Sequence, residues 1–212
     1  MQALDEYHKL YEKSRIWENN TWLGVPCYKL PFDAFVMQEL IVKLRPDCII
    51  ETGTAKGGSA LFFASICELI DHGSVITVDI SLQYNRDDFK HLKCSNRINF
   101  IHGGSTNPIT FDEIHRLTWR EKTNLVILDS WHSKKYVLEE MAMYSKLVTK
   151  GSYMIVEDTH ANGHPVPWEH GDGPFEAVEE WLSVHGSDWE VDYECEKHLF
   201  TFNPKGYLRR KE

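Results

Sequence analysis

The chain has 212 residues, 42% hydrophobic and 26% charged, which suffices for one domain with a sizeable core and is too short for two typical ones. Its net charge of −9, from 23 Lys and Arg against 32 Asp and Glu, opposes a nucleic-acid backbone, and the longest apolar run, Ala60 to Cys67, falls far short of the roughly 20 residues of a membrane span. The five cysteines, Cys27, Cys48, Cys67, Cys94 and Cys195, are odd in number and never form a C-x-x-C pair, which argues against a disulfide framework or zinc knuckle and predicts buried thiols.

In chain order, Met1 to Tyr11 carries Asp5, Glu6 and Lys9 and no apolar signal core, so a cytoplasmic protein is expected, with neither membrane nor nucleic acid as partner. Trp17 to Tyr28 has no clear periodicity and is predicted to cap a pocket; residues 1–30 are therefore read as a cap or lid segment ahead of one domain, 31–212. From Pro31 to Arg45 the apolar positions Phe32, Val36, Leu40 and Leu44 form a helical stripe that Pro46 ends. A short strand, Cys48 to Glu51, then leads through Gly53, Gly57 and Gly58 into a helix from Ser59 to Ile70. Further apolar runs, Val75 to Asp79, Ile98 to His102, Leu125 to Asp129 and Tyr153 to Asp158, each stop at polar residues. Ser133 to Val148 reads as a helix with Ser133 as N-cap, and Phe175 to Val184 as the last helix. Trp189 to Tyr193 and Leu199 to Phe202 could pair as a terminal antiparallel hairpin. Apolar strands alternating with helices predict an α/β fold, a mostly parallel sheet covered on both faces.

In such sheets ligands bind beyond the carboxyl ends of the strands, where this sequence gathers its acids and glycines. The loop Glu51-Thr52-Gly53-Thr54-Ala55-Lys56-Gly57-Gly58 lets backbone approach a ligand closely, and Asp79 is placed to accept hydrogen bonds from a ribose diol. A dinucleotide fingerprint would have glycine where Ala55 stands, and Glu51 opens the loop, a poor match for a pyrophosphate. A carboxylate there suits the cationic sulfonium and ammonium of S-adenosylmethionine. NAD(P) remains the alternative cofactor, and an acid that merely caps a strand end beside a tight turn the structural one.

Asp129 ends one strand, and Glu157 with Asp158 ends another. Neighbouring strands lie about 4.8 Å apart, so these carboxylates would repel unless a cation sat between them. All-oxygen ligands favour a hard divalent ion, Mg2+ first and Mn2+ or Ca2+ next. Because Glu157 and Asp158 are consecutive, the chain must turn there for both to reach one ion. His132, three residues after Asp129, is the candidate base for a hydroxyl whose pKa the metal has lowered; a helix-terminal histidine bonded to nearby backbone is the plainer reading. Trp131 either covers an adenine face or packs in the core. His160, His164 and His170 lie in the Gly- and Pro-rich loop 160–174; as a transition-metal cluster with Asp158 their spacing fits no standard site, and they are read instead as pocket-loop residues near the substrate. Trp22, Trp119, Trp131 and Trp168 are the aromatic residues expected around the pocket, suiting a sugar face or a planar ring equally.

Together, Thr21-Trp22-Leu23-Gly24-Val25-Pro26, Glu51-Thr52-Gly53-Thr54 with Gly57-Gly58-Ser59, Val78-Asp79-Ile80, Asp129-Ser130-Trp131-His132-Ser133 and Val156-Glu157-Asp158-Thr159 resemble the cephalosporin hydroxylase and rhamnosyl O-methyltransferase family over about residues 20–185. That family is similar to magnesium-dependent sugar O-methyltransferases of macrolide biosynthesis and, more distantly, to catechol O-methyltransferase. The resemblance implies a Rossmann-like, seven-stranded S-adenosylmethionine-dependent methyltransferase fold. It implies cofactor contacts from Glu51, Gly53, Gly57, Ser59 and Asp79, with Ser105 near the adenine; Thr54, Asp129 and Trp131 complete the candidate set. Asp129, Glu157 and Asp158 match the family's metal ligands, and His132 falls where the macrolide sugar enzymes carry a histidine base. The expected activity is Mg2+-dependent methylation of a hydroxyl on a sugar or phenolic natural product, a small-molecule partner, with homo-oligomerisation left open. An NAD(P)-dependent oxidoreductase and a noncatalytic S-adenosylmethionine-binding partner subunit are the rival readings; the full set Asp129, His132, Glu157 and Asp158 argues against the second.

Overall fold

Strands form where aliphatic residues run together, and helices where they recur at three- and four-residue spacing. The computed structural model describes residues 2–81, 83–118, 123–167 and 171–212. In chain order it contains α1 (Gln2–Ser14), a short 3-10 turn at Ile16–Asn19, the ribbon β1 (Thr21–Trp22) and β2 (Val25–Pro26), α2 (Pro31–Leu44), β3 (Cys48–Thr52), α3 (Gly58–Leu69), β4 (Ser74–Asp79), β5 (Ile98–His102), α4 (Pro108–Thr118), β6 (Asn124–Leu128), α5 (Lys134–Tyr144), β7 (Tyr153–Val156), α6 (Pro174–His185), β8 (Trp189–Val191) and β9 (Tyr207–Arg210).

Seven of these strands form one sheet in the order β5-β4-β3-β6-β7-β9-β8. The pairs β3–β4, β4–β5, β3–β6 and β6–β7 are parallel, and β9 runs antiparallel to both β7 and β8. Alternation along each strand divides the core in two. Ile49, Val75, Leu125, Ile127 and Ile155 face α2 and α3, whereas Cys48, Ile50, Val126, Leu128 and Met154 face α4, α5 and α6. Burial on both faces is why these strands read as continuous apolar runs. The chain builds the sheet outward in one direction from β3 through β4 to β5, then restarts at β6 in the other. The switch point between β3 and β6 opens a crevice at their carboxyl ends.

The expected terminal hairpin differs in its partner. β8 pairs with β9 (Trp189 opposite Arg210), not with Leu199 to Phe202. The backbone of that segment is engaged elsewhere: the Phe202 amide donates to Asp33 Oδ2 (2.8 Å) and the Phe202 carbonyl accepts from the His160 amide (3.0 Å). Phe200 and Phe202 instead pack with Leu30, Leu4, Tyr11 and Trp17 in a third cluster that holds α1 to the body. Ser133 stands at the N-cap of α5 without a side-chain cap bond, and the helix ends at Tyr144, one turn short of Val148. Helices α1 and α4 arise where the periodicity above predicts none. All five cysteines are buried free thiols. Among the described residues no helix is long and apolar enough to cross a membrane.

Candidate active site

A cavity of about 420 Å³ occupies the crevice. Its floor is the loop after β3, where Gly53 adopts φ +89°; a Cβ there would lie 1.8 Å from the Asp129 carbonyl oxygen, so only glycine lets the β3 and β6 loops touch. At Gly58 a Cβ would lie 2.1 Å from the Pro26 carbonyl oxygen, which seats the β1–β2 ribbon directly on the start of α3. Gly53, Thr54, Ser59, Asp79, Ser105, Asp129, Trp131 and His132 all line the cavity, as does Asp158. Asp79 accepts hydrogen bonds from the amides of Ala55 (3.0 Å) and Ser81 (2.7 Å), tying the ends of β3 and β4 together. Ser105 Oγ lies 3.1 Å from the Tyr136 hydroxyl, closing the opposite wall. Gly57, at φ +82°, turns the chain into α3 but is not on the wall.

Glu51 is placed differently from the expectation. It points to the α2–α3 side of the sheet, is fully buried, and does not line the cavity. Thr77 donates to its Oε2 (2.6 Å), and Thr77 in turn is 2.7 Å from Thr54 Oγ1. Oε1 has no hydrogen-bond partner among the described residues. Burial pushes this carboxyl up to about 7, against the pull of the Lys29 ammonium.

The acids at the ends of β6 and β7 divide into two groups. Asp129, His132 and Asp158 converge, with one potential ligand atom from each within 4.8 Å of the others. His132 Nε2 is 3.8 Å from Asp129 Oδ1, and its Nδ1 is 3.5 Å from Asp158 Oδ2. The chain does turn after β7: Asp158 takes φ +57° and swings onto the cavity wall, held by its amide donating to Asn203 Oδ1 (3.0 Å). Glu157 points the other way, into the interior, outside that group and off the wall.

Sequence reasoning missed the partner of Glu157. Lys29 Nζ donates to Asp129 Oδ2 (2.5 Å) and to Glu157 Oε1 (2.6 Å), with its side chain only 4% exposed. Burial alone would lower the lysine pKa, but the carboxylates of Asp129, Glu157 and Glu51 outweigh it and hold the ammonium charged well above its ordinary value. Burial likewise pushes the carboxyls of Asp129 and Glu157 up, with Lys29 opposing. The available signal was a lone cation in an otherwise apolar stretch, Val25-Pro26-Cys27-Tyr28-Lys29-Leu30-Pro31. The Lys29 ammonium engages Asp129 and Glu157 but not Asp158, and the two cavity-facing carboxylates, Asp129 and Asp158, fit a hard dication.

The other expected pocket residues separate. Trp22 donates from Nε1 to Ser65 Oγ (3.0 Å) and packs edge-on against Phe62, half-buried against the core rather than on the cavity wall. His160 is buried, bonded through Nδ1 to the Phe202 carbonyl (2.9 Å) and stacked on His8 and Phe202. His164 Nε2 lies 2.8 Å from Glu176 Oε1. Neither histidine lines the cavity, because His160 is held by the Phe202 carbonyl and His164 by Glu176. Trp119, Trp168 and His170 lie outside the described residues. Trp17, Tyr28 and Tyr136 supply the further aromatic walls.

A mostly parallel seven-stranded sheet in this order, with a glycine-rich loop at its switch point and carboxylates at the ends of β4, β6 and β7, defines the class: a Rossmann-like, S-adenosylmethionine-dependent methyltransferase. The family described as Rhamnosyl O-methyltransferase/CmcI matches residues 14–211, and the chain belongs to that family of O-methyltransferases. It is similar to a rhamnosyl O-methyltransferase of Mycobacterium leprae (strain TN), at 40% identity over 210 residues, 98% of this chain and 90% of that protein. Similarity to the rhamnosyl O-methyltransferase of Mycobacterium bovis (strain BCG / Pasteur 1173P2) is 36% over 209 residues, 97% and 84% of the two chains. The fold resembles the Mg-SAM structure of CmcI with a TM-score of 0.69, at 21% identity over 92% of this chain and 78% of that one.

Proposed function

We propose that the protein methylates a hydroxyl of a sugar-bearing small molecule, with S-adenosylmethionine and Mg2+ as cofactors and His132 as the base. The observation that carries this reading is the convergence of His132 with Asp129 and Asp158 on the wall of a cavity at the switch point. Asp129 Oδ1 and the Asp158 carboxylate would hold the ion; the loop from Gly53 to Ser59, Asp79 and the Ser105–Tyr136 pair would hold the nucleoside. When bound, the two groups supply a Lewis acid that acidifies an adjacent hydroxyl and an already activated methyl group.

The remaining work falls to the chain. His132 accepts the hydroxyl proton, with Asp158 beside Nδ1 steadying the imidazolium that forms. Lys29 Nζ is instead occupied as a donor to Asp129 and Glu157. Trp17, Tyr28 and the two-thirds-exposed Trp131 flank the opening and bury the apolar face of a sugar, excluding water from the reacting atoms. The rhamnosyl acceptors named for the mycobacterial relatives support a sugar over a phenol.

A second reading makes His132 a third metal ligand, favoured by its nitrogens lying so close to both carboxylates. His132→Ala separates the two. As a base, His132 can be removed with Mn2+ and S-adenosylmethionine affinity unchanged while turnover falls about 100-fold or more. As a ligand, its loss weakens Mn2+ binding itself. Wild-type turnover in the variant sinks both.

A further inference from the structure

Lys29 is built into the fold more firmly than a solvent-borne cation could be. Its carbonyl accepts from Asn20 Nδ2 (2.9 Å), and the Cys27 amide two residues earlier donates to the Asn20 carbonyl (2.8 Å), so the backbone that delivers the ammonium is pinned on both sides. The ammonium holds Asp129 by Oδ2, leaving Oδ1 turned toward His132, and takes Glu157 by Oε1. Two of the three acids that end β6 and β7 are thus engaged by a cation the protein carries itself. A divalent ion drawn to Asp129 and Asp158 meets this positive charge across a single carboxylate group. Like charges at that separation in a half-buried crevice repel strongly.

We propose that Lys29 is a positioning residue that competes with the divalent ion for Asp129 and Glu157 and thereby sets the affinity of the metal site. With the ammonium in place, the ion sees Asp129 through one oxygen and Glu157 is withheld. When the ammonium withdraws, both carboxylates become available to the ion. The inference rests on the metal site of the proposed function and adds to it a resident competitor, supplied by the segment between the β1–β2 ribbon and α2.

The test is Mn2+ titration of the full-length wild type, Lys29→Met and Lys29→Arg, read by the electron paramagnetic resonance signal of free Mn2+, with S-adenosylmethionine affinity by calorimetry as the check on the fold. Removing the charge should tighten Mn2+ binding by at least about tenfold, whereas Lys29→Arg keeps the wild-type value. A merely structural lysine would give weaker binding in both variants. Equal or weaker Mn2+ affinity in Lys29→Met, with S-adenosylmethionine still bound, overturns the proposal. Should Lys29→Met lose the nucleoside as well, the wild type decides: acetic anhydride labelling of Lys29, followed by peptide mass spectrometry, should rise on saturation with Mn2+, and identical labelling with and without the ion overturns the competition. Absence of Mn2+ binding in the wild type sinks the metal site itself, an outcome distinct from failure of the Lys29 inference.

Discussion

Glu51 shows how much a single side chain's surroundings decide. Its place at the end of β3 was legible as an acid opening the glycine loop, but its orientation was not: alternation along the strand turns it to the α2–α3 side, beneath the cavity floor. Burial there raises the carboxyl to about 7, so ionisation is opposed by the fold. Because the folded-state value lies above the ordinary one, its favourable contribution to stability is complete below about pH 4.5 and disappears as pH rises through about 7. For a cationic ligand above the floor the sign is opposite, since the carboxylate attracts it only once ionised. Glu51→Gln should weaken S-adenosylmethionine binding about tenfold at pH 8 and much less at pH 6, while the wild type gains affinity over that interval. Calorimetric titration at both pH values checks this, and a wild-type affinity that is flat with pH would remove Glu51 from the binding machinery.

At the scale of elements, α6 is tied to the loop before it by one carboxylate. Glu176 accepts from the Gly173 amide (2.8 Å), from Asn162 Nδ2 (2.9 Å) and from His164 Nε2 (2.8 Å), closing a box at the helix N-terminus. Partial burial pushes its carboxyl up, but these donors prevail and hold it lowered to about 2. A depressed folded-state value means stability that is present above about pH 4.5 and lost as pH falls toward 2. Glu176→Gln should cost about 2 kcal/mol at pH 7 and less than half of that at pH 3, as read by urea unfolding at the two pH values. The sequence reading begins the last helix at Phe175 and leaves Pro174 in the loop, whereas α6 starts one residue earlier, with Pro174 in its first turn. Nor could local signals show that His164 serves this cap rather than the substrate, because its ring is directed by contacts with Phe175 and Glu176 made only once the loop folds back.

Across the whole molecule, the edge of the sheet beyond β7 depends on β9, the last strand, inserted between β7 and β8. Leu208 is fully buried there among Met154, Trp189 and Val178. Leu208→Ala should lower stability by about 3 kcal/mol through transfer loss and cavity formation, while S-adenosylmethionine binding by the folded fraction persists, since Leu208 does not line the active-site cavity. Chemical unfolding alongside calorimetry would check both halves. The sequence of β9, Tyr207-Leu208-Arg209-Arg210, is half basic and carries no strong strand signal; its two arginines lie near the surface while Tyr207 and Leu208 fill opposite faces of the core.

The alternation of apolar strands and helices, the glycine loop and the acids at strand ends were all determined by the sequence alone, because each rests on periodicity or spacing within a few residues. Only the tertiary structure decided which acids meet on the cavity wall, that Glu157 turns inward, and that Lys29 answers it. Those outcomes depend on pairings between Lys29 and carboxylates 100 and 128 residues away, which no local pattern encodes. The physical reason is that a side chain's partner is set by strand order and by the hand of the turn it sits on. Both are fixed only when the sheet closes its two cores.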